Sequence, residues 1–429
     1  MESIWQKSVK LPAFLHLQGD LRTDVAIIGG GITGILTAYF LQKSGVDCIL
    51  LEKGTICQGT TSGTTAKITY QHGLCYHSLL KKEGKDVAQC YWNANVLALK
   101  QYEALCADVD CDFERKDQYV YTIDDRKVLE EEAAALTALG CDYTLCPTPT
   151  LPFSTAGAIR IPHQAQFHPL KWIAAIAKDL PIYEHTFVNA VQGNTVLTEY
   201  GKITANAVII ATHFPFINRH GSYFLKLYQH RSYVLALKNA QNVEGMFVDH
   251  SPLGLSFRNY QDLLLLGGGS HRTGKQGGNW SELRHDAKLY YPESTECCHW
   301  AVQDCMSLDG RPYIGKYSSA TEQLYTATGF HKWGMTGSMV AAQLLCDLVQ
   351  GKENPYASVF SPSRSMLKPQ LFLNGIESVI NLLRFTTRRC PHLGCALQWN
   401  RAEHSWDCPC HGSRLDENGG VLDNPANRK

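Results

Sequence analysis

Residues 24–52, DVAIIGGGITGILTAYFLQKSGVDCILLE, decide the fold. Residues 24–28 form a short run that is apolar throughout after Asp24, the pattern of a strand covered on both faces in a parallel sheet. Gly29, Gly30 and Gly31 follow at once, and from Ile32 the apolar residues Ile35, Leu36, Ala38, Tyr39 and Leu41 recur at helical spacing until Gly45 offers a stop. Residues 47–52 then read as a second strand, completing a βαβ unit. Its first turn carries Gly29-x-Gly31-x-x-Gly34, and Glu52 closes the next strand, as a dinucleotide site requires. Gly29 makes the tight turn, Gly31 lets backbone approach a pyrophosphate, and Gly34 allows helix and strand to pack closely. The helix start, with Thr33 in its first turn, offers unpaired N–H groups to phosphate, while Glu52 accepts from ribose hydroxyls. A ligand-free glycine turn would explain the glycines, but not strand, helix and acid together.

Beyond this unit the chain is long enough, at 429 residues, for two or three domains. Lys and Arg total 40 and Asp and Glu total 40, with no long block of one sign, which argues against a nucleic-acid footprint. With 44% hydrophobic and 19% charged residues the chain reads as globular, and no apolar run approaches the roughly eighteen residues of a membrane span. Residues 1–10 lack the features of a secretory or transit peptide, so a cytoplasmic location is expected. The middle, roughly residues 74–313, mixes helical stretches such as 86–106 with strand-like runs such as 207–211 and 262–266. Its sheet order cannot be read. Helix returns at 336–349, with Thr336 or Ser338 as cap and Gly351 as stop. After a Pro- and Ser-rich linker, Phe372, Ile376, Val379, Ile380 and Leu383 share one helical face, the pattern of a connecting helix that docks on a domain.

The unusual component is cysteine. Twelve of the 16 are scattered from Cys48 to Cys346, reading as mostly free, buried thiols; the other four crowd between Cys390 and Cys410. There the order is Cys390-x-His392 with Cys395, then, after the fifteen residues 393–407, Cys408-x-Cys410-His411 with Ser413. Two Cys-and-His pairs on two loops supply two thiolates for one iron and two imidazoles for another. A structural Cys₂His₂ zinc site would use the same four donors, but leaves Gly394, Cys395, Cys410 and Ser413 unexplained.

Five segments resemble the FAD-dependent amine and amino-acid oxidoreductases related to D-amino-acid oxidase, glycine oxidase and sarcosine oxidase: residues 24–34, 59–69 (GTTSGTTAKIT), 205–213 (ANAVIIATH), 309–315 (DGRPYIG) and 329–338 (GFHKWGMTGS). The resemblance implies FAD rather than a nicotinamide cofactor. It places Thr64, Thr65, Ala66 and Lys67 along the flavin, Ala211 and Thr212 near the adenosine half, and Gly334, Met335 and Thr336 near the isoalloxazine. It further implies hydride transfer from a small amine or amino acid to the flavin, which needs no dedicated acid–base residue, so no catalytic residue is assigned. Sarcosine oxidases carry a Lys in the late turn where this chain has Thr336, which argues against simple oxygen-consuming sarcosine oxidation. Cys305-Met306 resembles the position of covalent flavin attachment; an unreactive buried thiol is the alternative. Arg231, His271, Arg272, His331 and Lys332 are candidates for gripping a substrate carboxylate, with ordinary surface roles as the alternative.

The C-terminal pattern resembles Rieske [2Fe-2S] proteins. The resemblance implies Cys390, His392, Cys408 and His411 as cluster ligands, Cys395 and Cys410 as a disulfide joining the two loops, and residues 424–426 as the proline loop over the cluster. Leu415 stands where high-potential Rieske proteins carry a Tyr, so an intermediate potential is expected. The expected fold is thus α/β (α+β): a Rossmann-like FAD-binding domain intertwined with a mixed-sheet substrate domain over 1–364, its FAD-binding parts at about 20–75, 185–215 and 305–352, then a trimmed Rieske β domain over 365–429. The cluster takes one electron at a time, so pairing it with FAD points to a dehydrogenase that passes electrons to an acceptor protein or quinone. A plain oxidase with an inactive cluster domain and a redox sensor are the alternatives.

Overall fold

The computed structural model describes residues 2–148, 150–251 and 254–427. The quoted βαβ unit is the centre of an eight-stranded sheet: Leu21–Ile28 pairs in parallel with Cys48–Leu51 on one side and with Lys202–Ile210 on the other, and the latter pairs with Leu324–Thr328. The first strand starts at Leu21, three residues before the apolar run, because Leu21, Arg22 and Thr23 already register against Ile203, Thr204 and Ala205. The helix Ile32–Lys43 is buried along its first two turns. Its close approach to the strand depends on Gly34, where a Cβ would lie 2.0 Å from the Gly29 carbonyl oxygen. Gly45, at φ +74°, ends it.

The late helix runs over Gly334–Val349, two residues earlier than expected, and neither Thr336 nor Ser338 caps it. Their hydroxyls are used laterally instead: Thr336 Oγ1 donates to the Thr69 carbonyl at 3.0 Å, and Ser338 Oγ meets Thr33 Oγ1 at 2.7 Å. These bonds pin the late helix to the Thr69 segment and to the first βαβ unit.

The middle of the chain builds a nine-stranded mixed sheet in the order Thr295–Ser307, Leu227–Lys238, Leu263–Arg272, Ser256–Tyr260, Met246–Asp249, Glu114–Thr122, Gly157–Gln166, Lys67–Ile68, with the ninth strand, Thr144–Cys146, pairing with Gly157–Gln166 off this path. Strands distant in sequence become neighbours here, which is why periodicity could not order them.

The C-terminal part is a four-stranded antiparallel sheet of short strands, Gln398–Asn400, Ser405–Asp407, Arg414–Leu415 and Val421–Asp423. The helix Pro369–Leu383 precedes it, with the opposite face inward from the one expected. Asn374 and Asn381 are buried, whereas Phe372, Ile376, Val379, Ile380 and Leu383 are each more than half exposed. The body beneath offers polar partners: Arg272 donates to Asn374 Oδ1 at 2.9 Å, Asn374 Nδ2 donates to the Leu225 carbonyl, and Lys275 pairs with Glu377 at 2.6 Å. A polar stripe therefore docks.

Candidate active site and metal centre

A cavity of about 840 Å³ is bounded by both large sheets. Its wall includes Gly29, Gly31 and Thr33 from the first turn, Glu52, the Thr64, Thr65 and Lys67 segment, Ala211 and Thr212 after the strand Lys202–Ile210, and Gly334 and Met335 at the late helix. Of the residues expected at the cofactor, Gly34, Ala66 and Thr336 stand behind this wall as packing and tethering groups. At Gly31 the nearest atom a Cβ would meet is Thr61 Oγ1 at 3.5 Å, so backbone lies open to the cavity; Gly29, at φ +114°, has the Ala211 carbonyl against it. Glu52 is fixed by accepting from Gly30 N at 2.7 Å and Gly54 N at 2.9 Å, and each oxygen retains a lone pair for a ribose hydroxyl. Two separated glycine turns at one long cavity fit an extended dinucleotide.

Lys67, His331 and Lys332, which the sequence singled out, are joined at the wall by groups it did not. His72, His213, His230 and His331 all border the cavity, and burial lowers their pKa values to about 3, 4, 3 and 4 respectively, so all are neutral. His72 stacks on Trp333 at 4.9 Å and its Nε2 lies 3.0 Å from Thr336 Oγ1. Lys67 is lowered to about 7, first by burial and then by Arg258. Lys332 Nζ donates to Ser270 Oγ at 2.5 Å and is lowered by burial, while the Asp304 carboxyl is raised by burial. His230, Ser270 and Asp304 stand on three separate strands of the mixed sheet, and no spacing in the sequence announces them.

The five carboxylate candidates divide. His331 and Lys332 face the cavity. Arg231 and Arg272 are instead spent on the C-terminal domain, and His271 stacks on Tyr233 with Nδ1 3.0 Å from the Gly269 carbonyl. Cys305 borders the cavity as a thiol raised to about 12, first by burial, with Thr328 Oγ1 at 3.6 Å.

The two C-terminal loops are built alike: Gly394 N donates to the Cys390 carbonyl at 2.9 Å, and Gly412 N to the Cys408 carbonyl at 2.8 Å. They bring the His392 and His411 rings to 4.9 Å, at 89° to each other. Both Nδ1 atoms are buried with no hydrogen-bond partner. Burial holds both imidazoles neutral, at about 3 for His392 and about 4 for His411. Cys390 and Cys408 lie in side-chain contact, which raises the Cys390 thiol and lowers Cys408. Two orphaned imidazole nitrogens and two adjoining sulfurs are the donor set of a Rieske cluster, and leaving such nitrogens unpartnered would otherwise be costly. Ser413 Oγ accepts from Ala426 N at 3.0 Å and also bonds Cys390, leaving its hydroxyl on the sulfur side. Cys395 and Cys410 are thiols here, and their sulfurs lie with that of Cys408 within 4.8 Å of one another. The two sulfurs are thus near neighbours, as a pairing of Cys395 with Cys410 requires.

The cluster loops are seated on the flavoprotein body. The histidine rings face it: Phe214 lies 6.1 Å from His392 and 6.3 Å from His411, edge-on to both. Gln229 Nε2 donates to the His411 and Asn424 carbonyls, each at 2.9 Å, and Gln303 Nε2 donates to the Gly412 carbonyl at 2.8 Å. Arg272 donates to the Pro409 and Cys410 carbonyls. Arg231 pairs with Glu403, which also accepts from Arg414 at 2.9 Å and Tyr233 at 3.1 Å. Asn424 donates to the Thr212 carbonyl, and Leu422, Asp423, Asn424 and Asn427 form part of the cavity wall.

Comparison with known proteins agrees with both halves. The FAD dependent oxidoreductase family matches residues 24–348, and the Rieske [2Fe-2S] domain matches residues 379–429. The chain is 35% identical to the Bacillus subtilis Rieske 2Fe-2S iron-sulfur protein YhfW, over 99% of this chain and 96% of that one. A cytochrome b6-f complex iron-sulfur subunit of Nostoc punctiforme is 57% identical over 80 residues, 19% of this chain and 37% of that subunit. Among solved structures, glycine oxidase from Geobacillus kaustophilus superposes with a TM-score of 0.68 at 21% identity, covering 81% of this chain and all of that one. L-proline dehydrogenase from P. horikoshii also gives 0.68, at 17% identity, over 81% of this chain and 98% of that one. The chain therefore belongs to the FAD-dependent oxidoreductases of this family, an enzyme that binds FAD in its larger part and a Rieske [2Fe-2S] cluster at its C-terminus.

Proposed function

We propose that the protein dehydrogenates a small amine or amino acid and releases the electrons singly through the Rieske centre to an acceptor, a protein or a quinone. The flavoprotein part is taken as residues 1–364 and the cluster domain as 365–429. When bound, FAD supplies hydride acceptance from a C–H bond beside nitrogen, and the cluster supplies a one-electron relay. Gly29, Gly31, Thr33, Glu52, Thr64, Thr65, Lys67, Ala211, Thr212, Gly334 and Met335 would hold FAD, with Gly34, Ala66 and Thr336 behind them. Cys390, His392, Cys408 and His411 would hold the cluster, with Cys395 and Cys410 tying the loops.

One observation supports this reading: the histidine rings of the metal centre pack beside the 212–214 segment, which also borders the flavin cavity. Thr212 lines the cavity, and the Phe214 ring lies edge-on to both imidazoles, at 6.1 and 6.3 Å between ring centres. A cluster domain kept only as ballast has no need of that orientation. Within the cavity, Lys332 offers a cation to a carboxylate, and Asp304 an acceptor to an amine. The neutral imidazoles of His72, His230 and His331 keep the site free of competing positive charge.

Anaerobic mixing of the holoprotein with a panel of small amines and amino acids, followed by visible absorption, tests the substrate class. Bleaching of the flavin by at least one member is expected. A panel that leaves the flavin oxidised, while a reduced electron-transfer protein bleaches it, would replace the dehydrogenase by a redox sensor.

A further inference from the structure

The helix Pro369–Leu383 is amphipathic with its faces reversed. Gln370, Asn374, Glu377 and Asn381, spaced as one stripe of a helix, point into the protein, and the outward stripe is apolar. Phe372 is 65% exposed, Ile376 58%, Ile380 57% and Leu383 73%. Leu367 just before the helix and Phe385 just after it extend the same exposure, at 78% and 102%. A contiguous apolar surface of this size on a soluble protein marks an interaction site. Nor is it a loose segment: the inward bonds to Arg272, Leu225 and Lys275 fix which face is outside.

The charge around it selects the occupant. The chain as a whole is neutral, yet residues 361–402 contain Arg364, Lys368, Arg384, Arg388, Arg389 and Arg401 against a single acid, Glu377; Arg364 and Lys368 are paired with Asp309 and Glu83, which leaves the four arginines from Arg384 onward with no acidic partner among the described residues. That acid is turned inward onto Lys275. Arg384, at the end of the apolar stripe, is exposed, and its guanidinium makes no hydrogen bond or ion pair among the described residues. A helix of 15 residues spans about 22 Å, too short to cross a bilayer, and no helix among the described residues is long and apolar enough to do so. An apolar stripe that ends in exposed arginines with no acidic partner is the make-up of a helix that lies in the plane of an anionic membrane surface.

We propose that this helix docks the protein on an anionic lipid bilayer. The inward face of the same helix touches the metal loops: Cys410 Sγ lies 3.9 Å from the Glu377 carbonyl, and Ala396 N donates to the Asn381 carbonyl at 2.9 Å. Docking would therefore hold the cluster about one helix diameter, roughly 10 Å, from the lipid. The inference stands whether or not the electron-relay reading holds, since it concerns binding alone.

Flotation of the full-length holoprotein with vesicles tests it, using phosphatidylcholine alone and phosphatidylcholine with about one-third phosphatidylglycerol. Flotation with the anionic vesicles is expected, at least tenfold above that with neutral ones and falling as salt is raised. Two variants locate the contact: Phe372→Ser with Ile376→Ser and Ile380→Ser removes apolar surface, and Arg384→Glu reverses the free charge. Each is expected to lower flotation at least tenfold while the visible and paramagnetic spectra stay those of the parent, which shows the fold intact. Absence of flotation by the parent at low salt would overturn the proposal. So would a parent that is dimeric in solution and becomes monomeric in the triple variant, since the face would then meet a second copy. Equal flotation by parent and spectroscopically intact variants would place the contact elsewhere and overturn it too.

Discussion

Arg231→Met is the sharpest perturbation of the seam between the two parts. In the parent, Arg231 and Arg414 together face Glu403, Asp407 and Asp423, and the Arg231 and Glu403 side chains are only 8% and 3% exposed. Burial alone would raise the Glu403 and Asp423 carboxyls, but the arginines outweigh it and both end below their ordinary values. Met keeps most of the volume and removes the charge, leaving three carboxylates to one guanidinium in a buried seam. Breaking one partner from such a pair costs about 3–5 kcal/mol, or roughly two to four powers of ten in the docked equilibrium. Part of that cost is met by protonation of a carboxylate, so the loss should shrink as pH falls toward about 4. Differential scanning calorimetry of parent and variant, with limited proteolysis at the 361–368 linker, reads the effect. A variant that melts with the parent and is cut no faster would refute the reasoning, because the pair would then carry no docking energy.

Gly412→Ala should act at the same seam from the other side: at φ +83° a Cβ would sit 2.5 Å from Gln229 Cβ, so the variant should lose the Gln229 bonds and show faster linker cleavage, whereas Gly419→Ala, equally left-handed, should show its local strain without faster cleavage. Cys305 should not hold the flavin covalently, since its thiol is raised to about 12 and engaged with Thr328; acid or guanidinium denaturation should leave the yellow colour in the supernatant, and colour in the precipitate would contradict this. The buried neutral imidazoles fix an acid limb of stability. Between about pH 6.5 and pH 3–4 the unfolded chain binds protons that His72, His213, His230 and His331 refuse when folded. Stability should therefore rise with pH across that window and level off above it, and a urea-midpoint series flat from pH 4 to 6.5 would contradict the burial of these groups.

Much of the site was legible because its chemistry is local. The Gly29–Gly34 turn, the acid at Glu52 and the two Cys-and-His loops each lie within one short stretch, where spacing alone fixes geometry. What stayed hidden is assembled across strands: Asp304, Ser270, His230 and His72 meet at the cavity only through the order of the mixed sheet, which no period in the sequence encodes. Arg231 and Arg272 show the same limit from the other direction. Their residue type suits a substrate carboxylate, but their strand faces the cluster domain, and they bind it. The helix Pro369–Leu383 was found by its period and misjudged by its face. Apolar residues were expected inward, as hydrophobic burial favours, yet the body beneath is lined by Arg272, Lys275 and a free carbonyl, which only the polar stripe can satisfy. The late helix began early for a related reason, its hydroxyls being spent on tertiary bonds rather than on a cap.

The central claim is that the cavity and the metal centre form one electron path across residues 212–214. Rapid anaerobic mixing of the holoprotein with a substrate that bleaches the flavin, followed by freeze-quench electron paramagnetic resonance, measures it most directly. The account predicts a reduced-cluster signal that grows in as the fully reduced flavin decays, within a single turnover and without added mediator. A flavin that stays fully reduced beside an oxidised cluster would contradict it.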